Sequence, residues 1–116
     1  LTAQKLNILG TEYKIIFEPL SSMRIKHCNG YCDFTVKEIH VNDFSEEEKE
    51  EGTLIDLKFY QNKVLRHEIL HAFLYESGLY NNTKTDDDWA RDETIIDWFA
   101  IQSPKIFKVF QELDIL

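Results

Sequence analysis

From Val64 to Tyr75, across most of RHEILHAFLYESG (66–78), every residue except Arg66, His67, Glu68 and His71 is apolar. A run this apolar over three helical turns predicts a helix buried on most of its surface, so the rest of the chain must supply a core around it. On a helix of about 3.6 residues per turn, His67, Glu68 and His71 share one arc of roughly 100°. A carboxylate buried beside two imidazoles is costly unless it is paired or near a metal. Gly78 ends the helix after Ser77, and Thr53 with Asp56 offers a capping-box-like start, which gives a helix over about 53–77.

Length and composition frame the remainder. At 116 residues the chain fits one domain with a single modest core, and 43% hydrophobic with 13% aromatic residues is a globular composition. A net charge of −8 and a pI near 4.9 argue against a nucleic-acid binder and against attraction to an acidic membrane surface. No run of eighteen apolar residues and no basic-then-apolar leader is present, which makes the cytoplasm the expected compartment.

The two cysteines lie in HCNGYC (27–32), where Asn29-Gly30 predicts a two-residue hairpin turn within Arg24 to Phe34. That register points Cys28 and Cys32 to opposite sides and disfavours a disulfide. A metal knuckle from His27, Cys28 and Cys32 lacks a fourth ligand.

Residues 1–42 read as β-rich, with EYKIIFE (12–18) and VKEIHV (36–41) as strands of a small antiparallel sheet. The acidic stretch DFSEEEKEE (43–51) reads as a solvated loop or a short helical turn. After the first helix, NNTKTDDD (81–88) reads as a loop leading to a helix over about 86–102, capped by Thr85. Ser103-Pro104 is expected to close that helix and open a third over about 104–113. The expected fold class is therefore α+β: a small antiparallel sheet followed by three helices, in one domain spanning 1–116.

His67 and His71 are four apart and can aim at one ion, while Glu68 flanks them. In the HExxH spacing, two neutral imidazoles hold zinc and the adjacent carboxylate serves as general base toward water. Chance placement gives this spacing in about 1% of chains of such composition. Catalytic zinc needs a third protein ligand. Glu93 and Asp97, one turn apart in DETIIDWFAIQ (92–102), sit among apolar turns and supply one. Glu93 is the expected third ligand and Asp97 the acceptor for the free ring N–H of a ligating histidine. A solvated Glu93 is the alternative, which moves the third ligand to Asp86, Asp87, Asp88 or Asp92.

HEILH followed by ETIIDWFA resembles the gluzincin pattern, and more narrowly the ImmA/IrrE-type zinc metallopeptidase domain of bacteria and phages. ILGTEYKI, HAFLYESGL and DWFAIQSPKIF resemble its small single-domain phage and prophage versions, and the likeness runs from the first strand to about residue 107. The resemblance implies a zincin-like, minimal gluzincin architecture. It implies zinc on His67, His71 and Glu93, Glu68 as general base, and Asp97 as the supporting acceptor. Better-understood members cleave helix-turn-helix repressors. A phage- or prophage-encoded protein in the bacterial cytoplasm, acting on a protein or peptide substrate such as a repressor, is what it implies here.

The leading expectation is a zinc-dependent endopeptidase whose substrate adds as a strand beside an edge strand near Lys37 to Val41. His40, Tyr80 and Arg91 are candidates for steadying the oxyanion. A rival of another class is a zinc-stabilised phage or prophage protein that grips a host or phage partner without proteolysis. An acidic mimic of nucleic acid is a third, weaker reading, because the charge is confined to one stretch.

Overall fold

The structure is a computed structural model that describes residues 2–82 and 88–116. Strands β1 (Thr2–Ile8), β2 (Thr11–Glu18), β3 (Gly30–Asp33) and β4 (Glu38–Asn42) precede helices α1 (Leu57–Glu76) and α2 (Glu93–Glu112). Short 3-10 turns lie at Leu20–Ser22 and Trp89–Arg91. The class is α+β, and two of the expected details are corrected: the sheet is mixed, and the described residues form two α-helices rather than three.

The sheet order is β1-β2-β4-β3, with β2 parallel to β4 and the other two pairings antiparallel. β1 and β2 are joined at Leu9-Gly10, both at positive φ (51° and 95°). Ile8 pairs with Thr11 around this two-residue turn. Two positive φ angles give a turn whose twist matches the strands it joins.

Asn29-Gly30, in contrast, makes no hairpin turn. Gly30 opens β3, and the hairpin turns instead at residues 34–37, where Lys37 takes φ 59°. Asp33 fixes that turn by accepting from the Thr35 amide at 3.0 Å and hydroxyl at 2.6 Å. Gly30 serves close packing. A Cβ there would lie 2.6 Å from Val64 Cγ1 and 3.3 Å from Glu68 Cγ, so only glycine lets β3 lie this near α1.

One face of the sheet carries Tyr13, Ile15, Ile39 and Val41, which pack with Ile8 against Val64 and Ala72 of α1. The buried stripe of α1 is Gln61, Val64, Glu68 and Ala72, spaced by three or four residues. This is narrower than the apolar run suggests: Phe73 is 40% exposed. The C-terminal end of α1 is tied to the sheet by Glu76, which accepts from the Thr11 and Tyr13 hydroxyls, both at 2.7 Å, and from Lys37 at 3.1 Å. The hydrogen bond from Tyr13 leads the effects that hold the Glu76 carboxyl below its ordinary range, and burial pushes the Tyr13 phenol up.

α1 starts later than 53: Asp56 is its N-cap, accepting from the Phe59 amide at 2.9 Å. Thr53 instead closes the preceding loop by accepting from the Glu50 amide. The expected Thr85 cap lies outside the described residues. Asp92 caps α2 through the Thr94 amide at 2.9 Å.

Pro104, expected to open a third helix, lies inside α2. Proline there removes the N–H that would bond the Ala100 carbonyl. Arg66 fills the gap, its Nε donating to the Ala100 oxygen at 2.6 Å. The orphaned acceptor thus becomes a strut between the helices, and α2 runs on.

Candidate functional site

α1 and α2 bring His67, His71 and Glu93 together: one ligand atom from each lies within 4.8 Å of the others, and no other group of three such donors meets this test among the described residues. His71 Nε2 is 2.8 Å from Glu93 Oε1, His67 Nε2 is 2.9 Å from Glu93 Oε2, and the two Nε2 atoms are 3.2 Å apart. The i, i+4 spacing on α1 sets the imidazoles one turn apart on one face. The Asp92 cap sets Glu93 at the first turn of α2, facing them.

His67 Nδ1 is 3.1 Å from Asp97 Oδ1, and Lys63 Nζ donates to the same oxygen at 3.0 Å. With Nδ1–H given to Asp97, a neutral His67 turns its Nε2 lone pair toward the centre. Burial raises the Asp97 carboxyl, but the hydrogen bonds from Lys63 and His67 outweigh it, so Asp97 sits below its ordinary range and stays ionised. Burial likewise pushes His71 down, favouring the neutral ring that metal binding requires. The donors therefore fit a divalent transition ion: two neutral imidazole nitrogens and one carboxylate converge, with an acceptor behind one ring.

Glu68 lies on the buried stripe, 8% exposed, against Gly30 of β3. Burial, opposed by His67, pushes its carboxyl up to about 7. It lines a cleft of about 640 Å³ together with His71, Glu93, Gly30 and Cys32. A smaller cavity of about 210 Å³ shares Gly30, Glu68 and Glu93 and extends past Cys28, Tyr60, Lys63 and Asp97. The centre is thus open on two sides.

Some expected placements change. Glu93 and Asp97 are not a buried pair: their side chains are 67% and 37% exposed, because α2 buries Ile96, Ala100 and Ser103 instead. Lys37 to Val41 is no edge, since β4 pairs with both β2 and β3; the edge beside the cleft is β3. Of the three donor candidates, Tyr80 and Arg91 line the cleft. His40 does not: it is held between Glu18 (2.7 Å) and Glu38 (2.9 Å) and stacked on Tyr31. Alternation in β4 turns it away from the face that Ile39 and Val41 present to α1. Cys28 and Cys32 are free thiols. Burial raises Cys32 to about 12, and Glu68 adds to the effect.

Sequence reasoning missed Lys63, although it precedes His67 by one helical turn. It also missed Gly30, Cys32 and Phe34, which line the cleft because of the strand order. No helix among the described residues is long and apolar enough to cross a membrane. No family model, curated protein or solved structure matches the chain.

Proposed function

We propose that the protein is a zinc-dependent endopeptidase with a minimal, zincin-like catalytic centre of the ImmA/IrrE kind. One observation carries this reading: His67, His71 and Glu93 converge beside a buried Glu68 that opens onto a cleft. His67, His71 and Glu93 would hold the ion. When bound, zinc polarises a carbonyl and acidifies water.

The chain's own groups do the rest. Glu68 is placed to take a proton from water and pass it to the leaving amine, and it is held at the cleft by its position on the buried stripe of α1. Asp97, held by Lys63, keeps the His67 ring in the tautomer that faces the centre. Tyr80 and Arg91 line the same cleft and are the candidate donors for the oxyanion, with the Arg91 guanidinium 4.1 Å from the Tyr80 ring centre. The two-sided opening suits cleavage within a chain rather than at its end.

The test is elemental analysis with peptide digestion. Wild type should hold one equivalent of zinc and cleave a peptide library. Glu68→Gln should keep the zinc and lose cleavage by at least about a hundredfold, as for a removed general base. His71→Ala should lose both. Protein purified without stoichiometric transition metal, and unable to take it up, removes the assignment.

The second reading, a zinc-stabilised phage or prophage protein that grips a partner, draws on α2. That helix exposes Trp98 (57%) and Val109 (50%), the surface a binding protein uses. Under it, Glu68→Gln behaves as wild type. In either case a bacterial cytoplasmic setting belongs to the proposal, with a repressor as the example substrate.

A further inference from the structure

The cleft is asymmetric about the centre. Beyond Cys32 its wall is aromatic: Phe34 stacks on Tyr75 with ring centres 4.2 Å apart and planes 11° from parallel, and Tyr80 closes against Phe34 at 5.1 Å. Phe34 and Tyr80 line the 640 Å³ side and both are half-buried, with the Arg91 guanidinium lying over the Tyr80 ring at 4.1 Å. On the opposite side of Glu68 the smaller cavity is bounded by Cys28, Asn29, Tyr60 and Lys63.

β3 supplies direction. The Asn42 amide donates to the Asn29 carbonyl at 2.8 Å, so Tyr31 and Asp33 are the residues of β3 whose peptide groups face β4. The peptide groups of Gly30 and Cys32 then lie at the open edge, beside the cleft they line. A peptide joining that edge in the commoner, antiparallel sense runs from the Phe34 end toward the Gly30 end. It passes the aromatic wall before it reaches Glu68 and His71.

Resting on the endopeptidase reading above, we propose that Phe34 and Tyr80 form the specificity wall of the cleft. They select an extended peptide with an aromatic side chain on the amino-terminal side of the bond presented to Glu68. The floor beside that wall is Cys32, a small side chain that leaves room for a ring, and offset or edge-on packing between rings gives the selectivity. Substrate binding and scission are thus divided between two parts of the cleft: β3 and the aromatic wall fix the register, and Glu68 meets the peptide bond that this register delivers.

The experiment uses zinc-loaded, immobilised Glu68→Gln protein and a random peptide library read by sequencing mass spectrometry, with wild-type digestion of the same library in parallel. Retained peptides should be enriched about tenfold in Phe, Tyr or Trp at one position, a preference worth roughly 1.4 kcal/mol. Digestion should place that position before the cut. Adding Phe34→Leu or Tyr80→Leu should bring the enrichment below about threefold while zinc content stays as in the parent and the protein remains folded at the assay temperature. Enrichment of another residue class, or aromatic enrichment surviving both substitutions, overturns the proposal. Cleavage with no aromatic preference overturns it and leaves the peptidase reading standing. Aromatic-selective retention with no cleavage by wild type supports the wall and removes the peptidase. Neither retention nor cleavage removes both.

Discussion

Glu68 joins packing and chemistry in a single side chain. In metal-free protein, burial raises its carboxyl from 4.5 to about 7. Between those values the folded state holds a proton that the unfolded chain has released, so stability falls as pH rises through this window and is flat with respect to Glu68 outside it. The loss is on the order of 3 kcal/mol, at ~1.4 kcal/mol for each tenfold change in proton affinity. Urea unfolding of chelator-treated protein at pH 5 and pH 8 should reveal this slope, and Glu68→Gln should flatten it. Equal slopes in the two proteins would show that Glu68 is not the group responsible. Gly30 is the matching constraint on the sheet side. Gly30→Ala sets a Cβ 2.6 Å from Val64 Cγ1 and should cost roughly 1–3 kcal/mol, the usual penalty of overpacking. A smaller loss, with α1 unshifted, would mean that β3 is free to retreat.

Among the elements, α2 gains the most from a contact that local rules do not supply. Its Pro104 leaves the Ala100 carbonyl without its helical partner, and Arg66 of α1 donates to it at 2.6 Å. The same helix pair carries Lys63 to Asp97 and His67 to Glu93, so the strut also fixes where Glu93 and Asp97 stand. Arg66→Met should destabilise by about 1–3 kcal/mol, leaving a part-buried acceptor unpaired. In a Pro104→Ala background the restored amide can bond Ala100, and the same substitution should then cost about 1 kcal/mol less. Additive losses across this double-mutant cycle would separate Arg66 from the proline.

At the scale of the whole molecule, α1 meets the sheet on one side and α2 on another, and the candidate ligands are divided between the two helices. An ion that binds the folded state alone should therefore stabilise the entire fold. Zinc at a hundred times its dissociation constant should add about 2.7 kcal/mol, seen as a raised melting temperature. Glu93→Gln should remove most of that gain and His71→Ala all of it. A gain unchanged in Glu93→Gln would return the third position to another acid, such as Asp88 or Asp92. Beyond Ser103, α2 contributes no buried residue, and Phe107, Val109 and Phe110 are 37–50% exposed, so losses there should be small beside losses at Ala100 or Ile96.

Legibility in the sequence followed the range of each interaction. The α+β class, the helix carrying HEILH, its stop at Gly78 and the pairing of His67 with His71 depend on periods of 3.6 and 2 and on residues within a turn of one another. Each could be read from the chain alone. The meeting of Glu93 with the histidines was reachable because an acid among apolar residues calls for a partner, although the partnered acids turned out to be half-exposed. Strand order was not reachable. Gly30 looks like a turn residue until α1 is seen pressing on it. VKEIHV looks like an edge until β2 is found on one side of it and β3 on the other. Pro104 looks like a helix boundary until Arg66 replaces its missing bond from 38 positions away. These outcomes depend on contacts distant in sequence, which outweigh the local preference of a glycine or a proline.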